Sequence, residues 1–274
     1  MSAVFALLAS LIYGAADFYG GVAGRRMAAS AVVFWTQLVG LVLGMGLSVL
    51  FPATSFQVSD LIWGAIGGIV GTGGIYALYQ GLAKARMSVV SPLAALLSAL
   101  IPLAFGLAMG ERPILLEWLG VILALPAVWL VASGVSESDE SNGGVGYGIL
   151  AGLGFGFFFV AIAQTGDGAG LWPLVGARGA SVTLMAIWLL VRRIALPPPG
   201  TRLLLGLVGI GDIAANVFLL LAFRSGLLTL VAVLASLYPA ITVLLAVLIL
   251  KEPIAGRQRV GLGLALAAVV LLAR

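Results

Sequence analysis

The sequence predicts an all-α integral membrane protein with ten transmembrane helices arranged as two five-helix inverted repeats. Three observations lead there. The first is composition: 62% of the 274 residues are hydrophobic, 9% are charged and the mean hydropathy is +1.21, whereas a water-soluble domain carries about a quarter charged residues. The second is self-similarity at half length. Gly120 to Ala132 (GVILALPAVWLVA) returns as Gly261 to Ala273 (GLGLALAAVVLLA), an offset of 141, and such self-similarity marks a repeated unit. Glu111-Arg112-Pro113 and Glu252-Pro253 keep that spacing, and Leu8 to Gly14 is echoed by Leu150 to Gly156 at an offset of 142. The third is the placement of the basic residues, treated below.

A helix needs roughly 20 apolar residues to cross the hydrocarbon core, and charges, prolines and polar clusters cut this chain into runs of that length. The first unit, residues 1–134, has Ala3 to Gly24, Ala29 to Phe51, Leu61 to Ala83, Met87 to Gly110 and Leu115 to Gly134. A polar linker over 135–144 (VSESDESNGG) follows. The second unit, 145–274, has Val145 to Gln164, Leu171 to Val191, Leu203 to Phe223, Leu227 to Leu250 and Ile254 to Ala273. Glycines four apart, Gly144, Gly148, Gly152 and Gly156 in span six above all, predict close helix approach.

An odd number of spans per unit makes the second copy enter the membrane the other way up. The charges test this independently. Arg25, Arg26, Lys84 and Arg86 follow spans one and three, while Arg192, Arg193, Arg202, Lys251, Arg257 and Arg259 follow spans seven and nine. All ten fall on one face, with Arg112, Arg224 and Arg274 on the other. The basic face is expected in the cytoplasm, so both termini are expected outside a multi-pass protein of the inner (plasma) membrane.

The chain has neither cysteine nor histidine, which removes disulfides, thiolate and imidazole metal sites, and Ser-His catalysis. No metal, cofactor or enzymatic activity is expected. The basic residues serve orientation rather than nucleic-acid binding. The apolar start lacks a basic leader and runs long enough to be a retained first span.

Polar residues inside spans carry the functional information, because an ionisable group in hydrocarbon costs about 2.5 kcal/mol or more unless it faces a cavity or partner. Asp17, Arg178 and Asp212 stand out. At 1.5 Å per residue Asp17 and Asp212 lie at similar depths, ~21 and ~18 Å from the outer face, and Arg178 at ~10 Å. Arg178 and Asp212 could form a purely structural ion pair, or Arg178 could hold a substrate carboxylate while an aspartate meets an amine or a proton. Asn216 shares a face with Asp212. Tyr13, Gln37, Thr36, Thr72, Tyr76, Tyr79 and Gln80 are candidate hydrogen-bonding residues around a central cavity, and Trp35 is a candidate wall. The other tryptophans are expected as interfacial anchors.

Two five-span copies, Tyr13-Gly14 in the first span, the Glu111 and Glu252 motifs after spans four and nine, and a glycine opening the final Leu/Ala-rich span resemble the EamA branch of the drug/metabolite transporter superfamily. Tyr13-Gly14-Ala15-Ala16-Asp17-Phe18 with Gly20-Gly21 and Arg25-Arg26 resembles one subgroup of it. Characterised members include amino-acid exporters, so the resemblance implies an exporter of small polar metabolites, amino acids first, working by alternating access. The alternative is proton-coupled efflux of drugs or cations. Four-span relatives carry a glutamate in span one, where this chain has Asp17. The expected partners are a small-molecule substrate, protons and the lipid bilayer, with a monomer sufficient for function.

Overall fold

The computed structural model describes residues 1–24, 26–84, 87–132, 144–250 and 255–272, and these are helical with no strand among them. The first half forms α1 (Ser2–Gly24), α2 (Ala29–Leu50), α3 (Val58–Lys84), α4 (Met87–Ala108) and α5 (Leu115–Ala132). The second forms α6 (Gly144–Ala163), α7 (Trp172–Arg192), α8 (Pro199–Phe223), α9 (Leu228–Ala235), α10 (Tyr238–Leu250) and α11 (Gly256–Leu272). Among the described residues, seven stretches are long and apolar enough to span a membrane: α1, α2, α3, α6, α7, α8, and α9 continued into α10. Leu93–Ala108 and Leu115–Val131 are shorter apolar helices. The expected linker over 135–144 lies almost wholly outside the described residues, as do Arg25, Arg86, Lys251, Glu252 and Arg274.

Two elements depart from expectation. The ninth span is two helices, because Pro239 has no N–H to offer the Ala235 carbonyl and its ring would clash there in a continued helix. The Leu237 amide turns instead to Leu234 and that of Ala240 to Leu237, so the helix restarts at Tyr238. α8 begins four residues before the expected Leu203, with Pro199 in the first turn, where a missing N–H is harmless.

The most extensive helix pairings are retained when the halves are exchanged, α1 for α6, α2 for α7, α3 for α8, α4 for α9 with α10, and α5 for α11. α3 packs on α6 and α7, as α8 packs on α1 and α2. α4 lies on α6, as α9 and α10 lie on α1, while α2 with α7, α4 with α9 and α5 with α11 map onto themselves.

Glycine makes the closest of these contacts possible. A Cβ on Gly148, Gly152 or Gly156 would sit 2.7, 2.5 or 2.8 Å from the Cβ of Leu93, Leu97 or Ile101, so the stripe in α6 is the surface on which α4 packs. Just beyond α4, the Glu111 carboxylate accepts hydrogen bonds from the Leu228 and Thr229 amides at 2.6 and 2.9 Å. It satisfies donors that the first turn of α9 leaves open and places negative charge at that helix's positive end. At the same end of the bundle Asp60 accepts from the Gly166 amide (2.8 Å), and Arg224 donates to the Gly166 and Gly170 carbonyls. Burial pulls the Arg224 guanidinium below its usual range, against the pull of Asp167 and Asp60.

Candidate functional site

Both halves line one central cavity, with α1, α2 and α3 facing α6, α7, α8 and the start of α10. Its volume is about 60 Å³, room for roughly four waters at about 15 Å³ each. Arg178 on α7 and Asp212 on α8 are both buried and meet at 2.6 Å as an ion pair, though without hydrogen-bond alignment at those two atoms. Arg178 Nη1 donates to Gln37 Oε1 on α2. Gln37 precedes Arg178 by 141 residues, the repeat offset, so the two occupy equivalent positions in the two units and meet on the axis that relates them. Gly40, one turn after Gln37, leaves space for the guanidinium stem: a Cβ there would lie 3.1 Å from Arg178 Nε.

Asn216 donates to the Asp212 carbonyl at 2.7 Å, which fixes its amide and leaves its Oδ1 without a protein partner. The buried hydroxyl of Tyr238 is likewise unpartnered among the described residues, and that of Tyr13 lies beside Asn216 without an aligned hydrogen bond. Asp17, one turn beyond Tyr13, lines the cavity, is half-buried and forms no ion pair among the described residues. The cavity therefore holds two carboxyl groups and one guanidinium, and the guanidinium is already engaged. On the α3 side the Thr72 and Ser181 hydroxyls lie 2.6 Å apart, and both reach the Gly68 carbonyl. Each has one proton to give, so when Ser181 bonds a carbonyl, Thr72 supplies the bond between the two hydroxyls.

Of the residues expected from the sequence, Tyr13, Asp17, Gln37, Thr72, Arg178, Asp212 and Asn216 come together here. Trp35 does not. It lies two residues before Gln37, roughly 200° around the helix; its indole N–H donates to the Arg202 carbonyl at 3.3 Å and the Arg202 guanidinium lies over its ring. Tyr76, Tyr79 and Gln80 are on the Thr72 side of α3 but roughly 6–12 Å further along it, past the cavity. Gln80 donates to the Tyr76 hydroxyl (3.1 Å), the Tyr76 ring meets Trp188 edge-on, and Tyr79 is buried against Gly20. Thr36 is spent on the Val33 carbonyl. Unforeseen are Ser181, Tyr238 and an apolar wall of Ile75, Phe155, Phe158 and Phe159.

A multi-pass bundle whose two halves line a small cavity with one polar and one apolar wall has the build of a membrane carrier, in which a midplane site lies between repeats. The chain belongs to the EamA-like transporter family, whose sequence profile matches it twice, over residues 1–133 and 142–274. Members of that family are membrane transporters of the drug/metabolite superfamily. A solved crystal structure shares the fold at 18% sequence identity, with a TM-score of 0.74 over 98% of this chain and 95% of the other. No curated protein matches the sequence.

Proposed function

We propose that the chain exports a small amine-bearing polar metabolite, in the first instance an amino acid, by alternating access at the cavity between its halves. The observation that carries this is the charge of the cavity: Asp17 faces it without an ion partner, while Arg178 is held by Asp212 and Gln37. A carboxyl group at that depth calls for a cation, and an ammonium group or a proton fits it. The cavity volume of about 60 Å³ is small for a metabolite, and alternating access lets its walls part during the cycle. This reading counts ten crossings, with α9 and α10 forming one interrupted crossing, in two inverted units placed in the plasma membrane with both termini outside. One chain suffices.

A second reading, proton-coupled efflux of organic cations, is favoured by the engagement of Arg178, which leaves no free guanidinium for a substrate carboxylate. Uptake into proteoliposomes separates the two, using a panel of amino acids, their decarboxylated amines and cationic dyes, with and without a pH gradient. The first reading expects amino acids to move. Movement of amines and dyes alone, driven by the gradient, selects the second, and movement of neither overturns both.

A further inference from the structure

The two halves give the cavity equivalent positions of opposite character. α1 against α8 forms one wall, and exchange of the halves turns this pair into α6 against α3, the other wall. The offset of 142 that relates Tyr13-Gly14 to Phe155-Gly156 also relates Asp17 to Phe159. The offset of 141 that relates Gln37 to Arg178 pairs Gly71 with Asp212 and Ile75 with Asn216. Local packing fixes that register: a Cβ on Gly68 would strike the Ala177 backbone and one on Gly209 the Thr36 backbone, the same contact in the two halves. All eight residues line the cavity. Position for position, Tyr13, Asp17, Asp212 and Asn216 are answered by Phe155, Phe159, Gly71 and Ile75.

We infer that the cavity takes an amphipathic amine in one orientation, its ammonium at Asp17 and a flat apolar tail on Phe155 and Phe159 above Gly71. This rests on the exporter reading. An ammonium group has three donors and no acceptor. The polar wall offers the Asp17 carboxylate and Asn216 Oδ1, the latter buried and without a protein partner among the described residues, with the Tyr13 hydroxyl beside Asn216. The opposite wall presents no side-chain hydrogen-bonding atom at the four equivalent positions, and phenylalanine faces suit an offset or edge-on aromatic guest. Gly71 lets the Phe158 ring pack close on that wall, since a Cβ there would come within 3.2 Å of it. A hydrophilic amine binds by its head alone, whereas an aryl amine uses both walls.

The test is direct binding of phenethylamine, ethylamine and 2-phenylethanol to the purified full chain in detergent, followed by calorimetry. Phenethylamine should bind about tenfold or more tighter than ethylamine, the gain expected for burying an aryl tail, and more tightly than the uncharged alcohol. Phe155→Ala and Phe159→Ala should bring the two amines within about threefold of each other, by weakening phenethylamine more than ethylamine. Asp17→Asn should weaken both amines by the same factor and leave the alcohol unaffected. Retained ethylamine binding shows that a phenylalanine variant is folded, and Phe159→Leu gives a milder truncation where Phe159→Ala is not. Equal affinities for the two amines, or a preference untouched by both phenylalanine variants, overturn the inference and leave the exporter reading in place. Absence of binding by either amine, together with no uptake in proteoliposomes, removes the reading beneath it.

Discussion

The α1·α8 wall and the α6·α3 wall have the same backbone geometry and contrasting side chains. Gly14 lies against the Tyr238 carbonyl and the Ile241 Cβ as Gly156 lies against the Leu97 carbonyl and the Ile101 Cβ, and Gly68 and Gly209 make matching contacts with Ala177 and Thr36. Where helices touch, the two units agree; where they face the cavity, Tyr, Asp, Asp and Asn stand against Phe, Phe, Gly and Ile. Close packing ties a position to its neighbours, because any added atom must displace backbone. Positions on the cavity are freed from backbone contact on one side, and it is there that the units differ.

The largest effect expected from disturbing this contrast is at the ion pair. Arg178→Leu leaves the Asp212 carboxylate buried without its cation and should cost about 3–5 kcal/mol, while Arg178→Leu with Asp212→Leu recovers much of that loss; thermal unfolding in detergent reads both. A double variant no more stable than the single one would show that the pair is not a closed electrostatic unit. Next comes a hydroxyl moved across the cavity. Phe155→Tyr sets a hydroxyl among apolar groups at a cost of about 1–3 kcal/mol, whereas Tyr13→Phe removes a hydroxyl that has only Asn216 beside it and should cost less, about 0.5 kcal/mol of unfolding free energy. Equal costs for the two changes would dissolve the contrast between the walls. The smallest effect is at the Thr72 and Ser181 hydroxyls, whose double-mutant cycle with Thr72→Val and Ser181→Ala should give a coupling of about 1 kcal/mol. Zero coupling would mean that each hydroxyl is satisfied by its own helix carbonyl alone.

The polar wall was legible in the sequence, because a carboxylate or guanidinium in an apolar run is conspicuous and hydrocarbon does not tolerate it without cause. The apolar wall was not. Phe155, Phe158 and Phe159 look the same in sequence whether they face lipid, a neighbouring helix or a cavity, and only the exchange of halves reveals what they correspond to. Ser181 is a common packing residue, and Tyr238 reaches the cavity through a helix break whose sole sequence signal is Pro239. Tyr76, Tyr79 and Gln80 show the converse limit: the period of a helix gives the face on which a residue lies, while the length of a cavity along that face depends on how the neighbouring helices cross. The displacement of Trp35 was legible from helical phase alone, since Gln37 and Trp35 point to nearly opposite sides.

The meeting of Gln37 with Arg178 on the axis bears on how such a chain can arise. In a symmetrical dimer of the first unit, Gln37 would meet its own copy, and two amides bond each other well. In a dimer of the second, Arg178 would meet its own copy, and two guanidinium groups in a water-poor interior repel. A symmetrical dimer would have to neutralise two guanidinium groups on its axis, whereas two domains joined in one chain can set a single cation there against an amide, with Asp212 as its one counter-ion.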